Sequence, residues 1–347
     1  MNLFWQGYRL QQGMSLIELM IASSIGLVVV AAVGSLFLSS SQNYRQDERL
    51  TFMQQELGYA IAQLIQDIEM SGYWARLHDP SRVQLHGTLS VAADCGAPAA
   101  AWVYGDRTAL SVVDNGTAAF VNAQHTCIPE ADVLEGSDVI AIKRVLGSAR
   151  GTDLDSSAMT AGAVYLRTGL LSGLLYKHGG AAFGNIPPPY ENYEYRPVVY
   201  YIQAYTDSPT ESPREPALCR RILRSTGAGT PPAFERDCLA QGVENLQVEL
   251  GIDTDEDGAA NYFMSNPTPE FLARAVVVRL YLLARSSRPD FKYDGKSGGS
   301  KKSYILGNML AAHVPADNPV DRHYYHKTLS TEIVLRNPRS LQGLAIP

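Results

Sequence analysis

The sequence has 347 residues, 46% apolar and 18% charged, which is enough hydrophobic material for a sizeable core and the composition of a folded rather than a disordered chain. The formal charge is −6 with no basic block, and Lys301 with Lys302 is too short a cluster, without interleaved aromatics, so a direct nucleic-acid ligand is argued against. Four cysteines without Cys-x-x-Cys spacing argue against the usual zinc and thioredoxin-like arrangements and favour disulfides, hence an oxidising compartment.

Residues 1–13 carry one charged side chain, Arg9, and lack the apolar centre of a secretory signal. The apolar run comes afterwards, as the uncharged stretch LMIASSIGLVVVAAVGSLFL at 19–38. About 20 residues at roughly 1.5 Å each match a bilayer's ~30 Å hydrocarbon core, which predicts a transmembrane helix. Glu18 stands at its start, and an acidic side chain in a membrane helix costs about 2.5–3.5 kcal/mol on insertion scales, so it calls for a partner or for headgroups at the membrane edge. Ala22, Ser23, Gly26, Ala31, Ala32, Gly34 and Ser35 would let neighbouring helices approach closely, although small residues are common in any spanning helix. Beyond Ser41 the apolar residues Leu50, Met53, Leu57, Ile61, Leu64, Ile65 and Ile68 recur at three- and four-residue steps, so the helix continues as an amphipathic one. Gly58 weakens it by about 1 kcal/mol relative to alanine. Ser71-Gly72 offers a stop, giving one helix over 14–72.

From Tyr73 onward short strand-like runs alternate with turn residues, predicting a β-rich domain over 73–347. Strands are expected at 138–146, 163–168, 197–206, 218–224 and 243–251, and most clearly at 275–284 and 331–336. Pro-, Ser-, Thr- and Gly-rich stretches at 185–189, 206–216 and 225–232 read as surface loops. The fold class is therefore α+β, with a long N-terminal helix, transmembrane in its first half, packed on a mainly antiparallel β domain. The cysteines Cys95, Cys127, Cys219 and Cys238 allow three pairings, of which nearest neighbours, Cys95 with Cys127 and Cys219 with Cys238, are the expected one, free buried thiols being the alternative.

Asp253, Asp255 and Asp257 alternate, with Gly258 sixth, as in the first half of an EF-hand loop, so calcium is a candidate ligand. Position twelve is Met264 rather than a bidentate glutamate, which rejects the full EF-hand and leaves closure to Asn261 or a distant carboxylate. The competing reading is a solvated acidic turn between two strands. His323 and His326 in DRHYYHK lack the glutamate of a metalloprotease motif and read as a solvated loop. No Gly-x-Ser-x-Gly elbow, Walker loop or Rossmann fingerprint is present, so no catalytic residue is assigned and no enzyme is expected. Tyr190, Tyr193, Tyr195, Tyr200, Tyr201 and Tyr205 suit a β-sheet core or an interface.

The order of leader and apolar run, with Gly13-Met14-Ser15-Leu16-Ile17-Glu18, resembles the class III signal of type IV prepilins and type II secretion pseudopilins. IEMSGYW (68–74), GVENLQVELGIDTDEDG (242–258), VVVRLYLLARS (276–286) and TEIVLRNP (331–338) further resemble the large minor pilins of the PilW type, which are related to the J-type pseudopilins of type II secretion. The resemblance covers about half of the chain. It implies a pilin-like fold, cleavage after Gly13 by a prepilin peptidase, methylation of Met14, and pairing of Glu18 with the Met14 amine of a neighbouring subunit. Met14 stands where the family usually has phenylalanine. The implied protein is a single-pass inner-membrane subunit with its C-terminal domain in the periplasm, surrounded by lipid before assembly. It would then join other minor pilins, an assembly platform and a tip adhesin to prime a type IV pilus at its tip, supporting twitching motility, adhesion or DNA uptake. A J-type pseudopilin of a secretion system and a membrane-tethered adhesin are the alternatives.

Overall fold

The computed structural model describes residues 13–77, 79–86, 89–96, 102–104, 108–152, 157–169, 171–179, 190–297, 299–317, 319 and 321–337. The expected loop at 185–189 and most of the leader lie outside them. The chain divides into two units, Met1–Thr51 and Phe52–Pro347.

One helix, α1 (Leu16–Glu69), runs through 54 residues, about 80 Å at ~1.5 Å per residue. Within the first unit, every side chain from Met14 to Ser40 is exposed, including Ile21, Val29 and Phe37, so this stretch has nothing of its own chain to bury against. Its length and hydropathy are those of a membrane span. The helix ends three residues earlier than expected, and a turn follows in which Gly72 takes φ +69°, a left-handed conformation glycine adopts without strain.

In the second unit the helix residues Met53, Leu57, Ala60, Ile61, Leu64 and Ile68 are buried, each large one contributing about 1.5–3 kcal/mol through removal from water. The remaining elements follow as β1 (Val83–Leu85), β2 (Leu110–Val113), α2 (Ala118–Gln124), β3 (Val139–Ile142), β4 (Gly151–Thr152), β5 (Val164–Thr168), β6 (Gly173–Lys177), β7 (Glu191–Glu194) and β8 (Val198–Gln203). After them come β9 (Ala217–Arg224), β10 (Ala233–Gln241), β11 (Val243–Ile252), β12 (Tyr262–Met264), α3 (Pro269–Leu272), β13 (Ala275–Arg285), β14 (Lys296–Ser297), β15 (Ser300–Lys301) and β16 (His326–Val334).

Among the described residues, three sheets build the domain, in the orders β10-β9-β8-β3-β2, β12-β11-β13-β16 and β1-β6-β5-β7-β4, beside a small β14-β15 hairpin. Among the described residues, these strands pair antiparallel except β1 with β6.

The first sheet lies between two cores, and strand alternation distributes its side chains between them. On β8, Val198, Tyr200 and Ile202 join Leu57, Leu64 and Ile68 of α1, while Val199 and Tyr201 face a second core with Trp74, Trp102 and Phe234. Ile140 and Ile142 of β3 do the same on one side and Val139 and Ala141 on the other. Burial on both faces is why these strands read as continuous apolar runs although they pair antiparallel.

One buried carboxylate fixes the helix to this sheet. Asp67 Oδ1 accepts from Arg144 Nε at 2.8 Å and also contacts Arg144 Nη2, and Asp67 Oδ2 accepts from the Tyr200 hydroxyl. Arg220 Nη1 lies 3.9 Å from Asp67 Oδ2 and its Nε bonds Asp237 at 2.9 Å.

Candidate functional site

The first turn of α1 has the order Ser-x-x-Glu, Ser15 standing just before the helix and Glu18 three residues on. In that geometry the Ser15 N–H has no partner within the helix, and Glu18 Oε2 accepts it at 3.1 Å. Glu18 thus serves its own helix as half of a capping box, a role the sequence reading missed although the spacing carried the signal. Glu18 is exposed, with Met14, Leu16 and Ile17 exposed around it at 71%, 75% and 66%. A Cβ at Gly13 would meet nothing within 4 Å among the described residues, so nothing described in the chain's own packing selects glycine there.

Cys95 bonds to Cys127 and Cys219 to Cys238. The second bridge joins residues directly opposite on β9 and β10. The first holds Cys95 beneath His125, whose Nδ1 lies 3.2 Å from the Cys95 carbonyl and whose ring meets Trp102 edge-on. Burial pushes the His125 imidazole down to about 4, against the opposing pull of that carbonyl and with help from Lys143.

The structure brings oxygens of Asp253, Asp255 and Asp257 within 4.8 Å of one another, Asp253 buried and the others exposed. The turn is already held by its own backbone. Asp253 Oδ1 and Oδ2 accept from the Glu256 and Gly258 N–H groups at 2.6 and 2.8 Å, and Asp257 Oδ1 from Ala259 at 2.8 Å. Asn261, one of the two expected ways of closing such a site, uses its Oδ1 to accept from the N–H and hydroxyl of Thr254 at 2.6 and 2.9 Å. A metal there would share the Asp253 oxygens and Asp257 Oδ1 with the hydrogen bonds they already accept.

Tyr193, Tyr195, Tyr200, Tyr201 and Tyr205 are buried, so the tyrosine cluster is core, with Tyr190 half-buried at its edge. His323 and His326 do not act together: His323 Nδ1 lies 2.6 Å from the Tyr293 carbonyl, whereas His326 is the buried first residue of β16 rather than part of a solvated loop.

A long exposed apolar helix opening on a capped glutamate, carried by a β-rich domain, defines the class of pilin-like, membrane-anchored proteins. Residues 8–34 match the model of the prokaryotic N-terminal methylation motif. Residues 199–337, from β8 through β16, match the model of Type IV pilus-assembly protein W. A type IV-like pilin from Thermus thermophilus is similar in structure at TM-score 0.34 and 12% identity, over 82% of this chain and 96% of that one. No curated protein matches the chain. These two matches support a type IV pilus minor pilin of the PilW type. The fold is α+β, a long N-terminal helix followed by a mainly antiparallel β domain.

Proposed function

We propose that this minor pilin primes type IV pilus assembly within a tip complex, and so supports twitching motility, adhesion or DNA uptake. The observation that carries the reading is Glu18, the lone acidic group at the head of an uncharged helical stretch whose side chains are all exposed. Lipid covers such a surface before assembly and neighbouring helices cover it afterwards. Prepilin peptidase removes residues 1–13 and methylates the Met14 amine; the free Cβ space at Gly13 fits selection of glycine by that enzyme rather than by the fold. The new amine then offers Glu18 of an adjoining subunit a charged partner, replacing the weaker Ser15 N–H. The domain from Tyr73 onward stands in the periplasm and selects the partners: other minor pilins, the assembly platform and a tip adhesin. Its two disulfides suit that oxidising compartment.

Calcium at Asp253, Asp255 and Asp257 belongs to the proposal only as a ligand added to a turn already formed. Calorimetry with CaCl2 tests it: saturable heat, lost in Asp255→Asn/Asp257→Asn, supports it, and none removes it. For the main reading, full-length chain is co-expressed with the other minor pilins and captured from detergent. Their co-purification is the expected result, and a chain that is processed yet binds none of them overturns the priming role.

A further inference from the structure

Outside the regions assigned above, three ligating side chains from three separate segments meet at one end of the β11-β13-β16 sheet. The pairing of β11 with β13 slips between Val243 and Asn245, leaving Glu244 as the extra residue of a β-bulge, the kind of irregularity that re-aims a side chain. His326 opens β16. His313 is fixed by a backbone bridge to Tyr304, with paired N–H to carbonyl bonds of 2.8 and 2.9 Å.

Their ligating atoms form a triangle: His313 Nε2 to His326 Nε2 at 3.3 Å, His326 Nε2 to Glu244 Oε2 at 3.1 Å, and His313 Nε2 to Glu244 Oε2 at 3.8 Å. A tetrahedral ion with bonds of about 2.0–2.1 Å separates its ligands by roughly 3.3 Å. For the observed triangle, a point about 2.1 Å from all three atoms lies roughly 0.7 Å out of their plane, much as a tetrahedral centre lies above one face.

The surroundings prepare the atoms for this. His326 Nδ1 lies 3.1 Å from the Tyr324 carbonyl, which can only accept, so Nδ1 carries the hydrogen and Nε2 keeps its lone pair in the neutral ring. Glu244 Oε2 is buried and, among the described residues, receives no hydrogen bond of good geometry. Arg285 Nη1 approaches the other Glu244 oxygen at 3.4 Å and Asp321 Oδ1 at 3.1 Å, so two carboxylates face one guanidinium and the local charge tolerates a dication.

We propose that Glu244, His313 and His326 bind one Zn2+ ion, which ties the bulge of β11 to the start of β16 and to the segment carrying His313. Two imidazoles with one carboxylate select zinc over calcium or magnesium, which prefer all-oxygen shells. Glu244 and His313 also line a cavity of ≈ 720 Å³ shared with Leu134, Leu283 and Met309, and solvent from it supplies the fourth ligand.

The test is titration of the full-length chain in detergent, stripped of metal, with ZnCl2 and separately with CoCl2. One equivalent of zinc should bind and raise the melting temperature, and cobalt should give the intense visible absorption of a four-coordinate site. His313→Ala, on a partly exposed segment, should fold and weaken zinc binding by about 100-fold or more, beyond the 10–100-fold loss from removing a supporting partner. Glu244→Gln should behave likewise, while Asp255→Asn/Asp257→Asn should leave zinc affinity unchanged. Binding should also fade as pH falls and the imidazoles take up protons. Absence of saturable zinc binding, or affinity unchanged in both His313→Ala and Glu244→Gln, overturns the proposal.

Discussion

Helix α1 carries two carboxylates placed to opposite ends. Glu18 lies in the exposed apolar half and has one local partner, the Ser15 N–H at 3.1 Å. Asp67 lies in the half that packs in the β domain and is nearly enclosed, with Arg144 and the Tyr200 hydroxyl bonded to it and Arg220 close by. A carboxylate whose partners are all in its own chain is a folding element, and its removal strands the opposite charge. One that has only a backbone N–H is under-partnered in an apolar setting and has capacity left for another molecule. On the proposed reading, the difference separates what the chain needs to fold from what it offers to assemble.

The effect that bears most directly on assembly is on that second side. Glu18→Ala should be inserted, cleaved after Gly13 and folded like the parent, yet its recovery in sheared pilus fractions should fall at least about tenfold, the loss of ~1.4 kcal/mol or more of subunit contact. Immunoblots of membrane and filament fractions read both quantities. Recovery equal to the parent would reduce Glu18 to its capping role.

Asp67→Ala should give the reverse pattern. Arg144 would be left buried without its carboxylate, so the domain should lose about 3–5 kcal/mol of stability, seen as a lower urea midpoint, while membrane insertion is unaffected. Asp67→Asn, which keeps one of the two acceptor oxygens, should lose less. Equal stability of Asp67→Ala and the parent would remove the distinction drawn between the two carboxylates.

How far this contrast could be read in the sequence follows from the distances involved. Local patterns were legible: the capping spacing, the apolar run, and strands such as Val243–Ile252 and Ala275–Arg285, which fall within a residue of their expected bounds at 243–251 and 275–284. Strand β16 was legible only in part, because the polar alternation of His326–Val334 begins five residues before the apolar signal at 331. β10 was missed, since the charged run Glu235, Arg236 and Asp237 interrupts its apolar residues and looks like a loop. The partners of Asp67 and the Glu244-His313-His326 cluster had no legible signal at all. They are joined by register, a bulge and an isolated bridge, none of which leaves a fixed spacing in the chain.

A smaller effect tests the enclosed region by pH. His125 is held neutral in the fold with its value near 4, while the unfolded chain has the ordinary 6.5. As pH falls below about 6.5 the unfolded state takes up a proton that the native state refuses, so stability declines until the native value near 4 is passed. The loss should reach roughly 3 kcal/mol at 1.36 kcal/mol per unit. His125→Gln should flatten this part of a plot of urea midpoint against pH, and an unchanged slope would place the sensitivity elsewhere.

The smallest effect concerns glycines along α1. Gly58 is exposed, and a Cβ there would meet nothing within 4 Å, so Gly58→Ala should stabilise the domain by about 0.5–1 kcal/mol through helix propensity alone. Gly26 has the same free space around it in the isolated chain, so intrachain packing gives no reason to expect a different result. If neighbouring helices pack against that half, Gly26→Ala should lower filament recovery while Gly58→Ala does not, because close helix approach requires small residues only where another helix arrives. Equal tolerance of both would leave the small residues of 19–38 without a part in assembly, and the contact would rest on Glu18 alone.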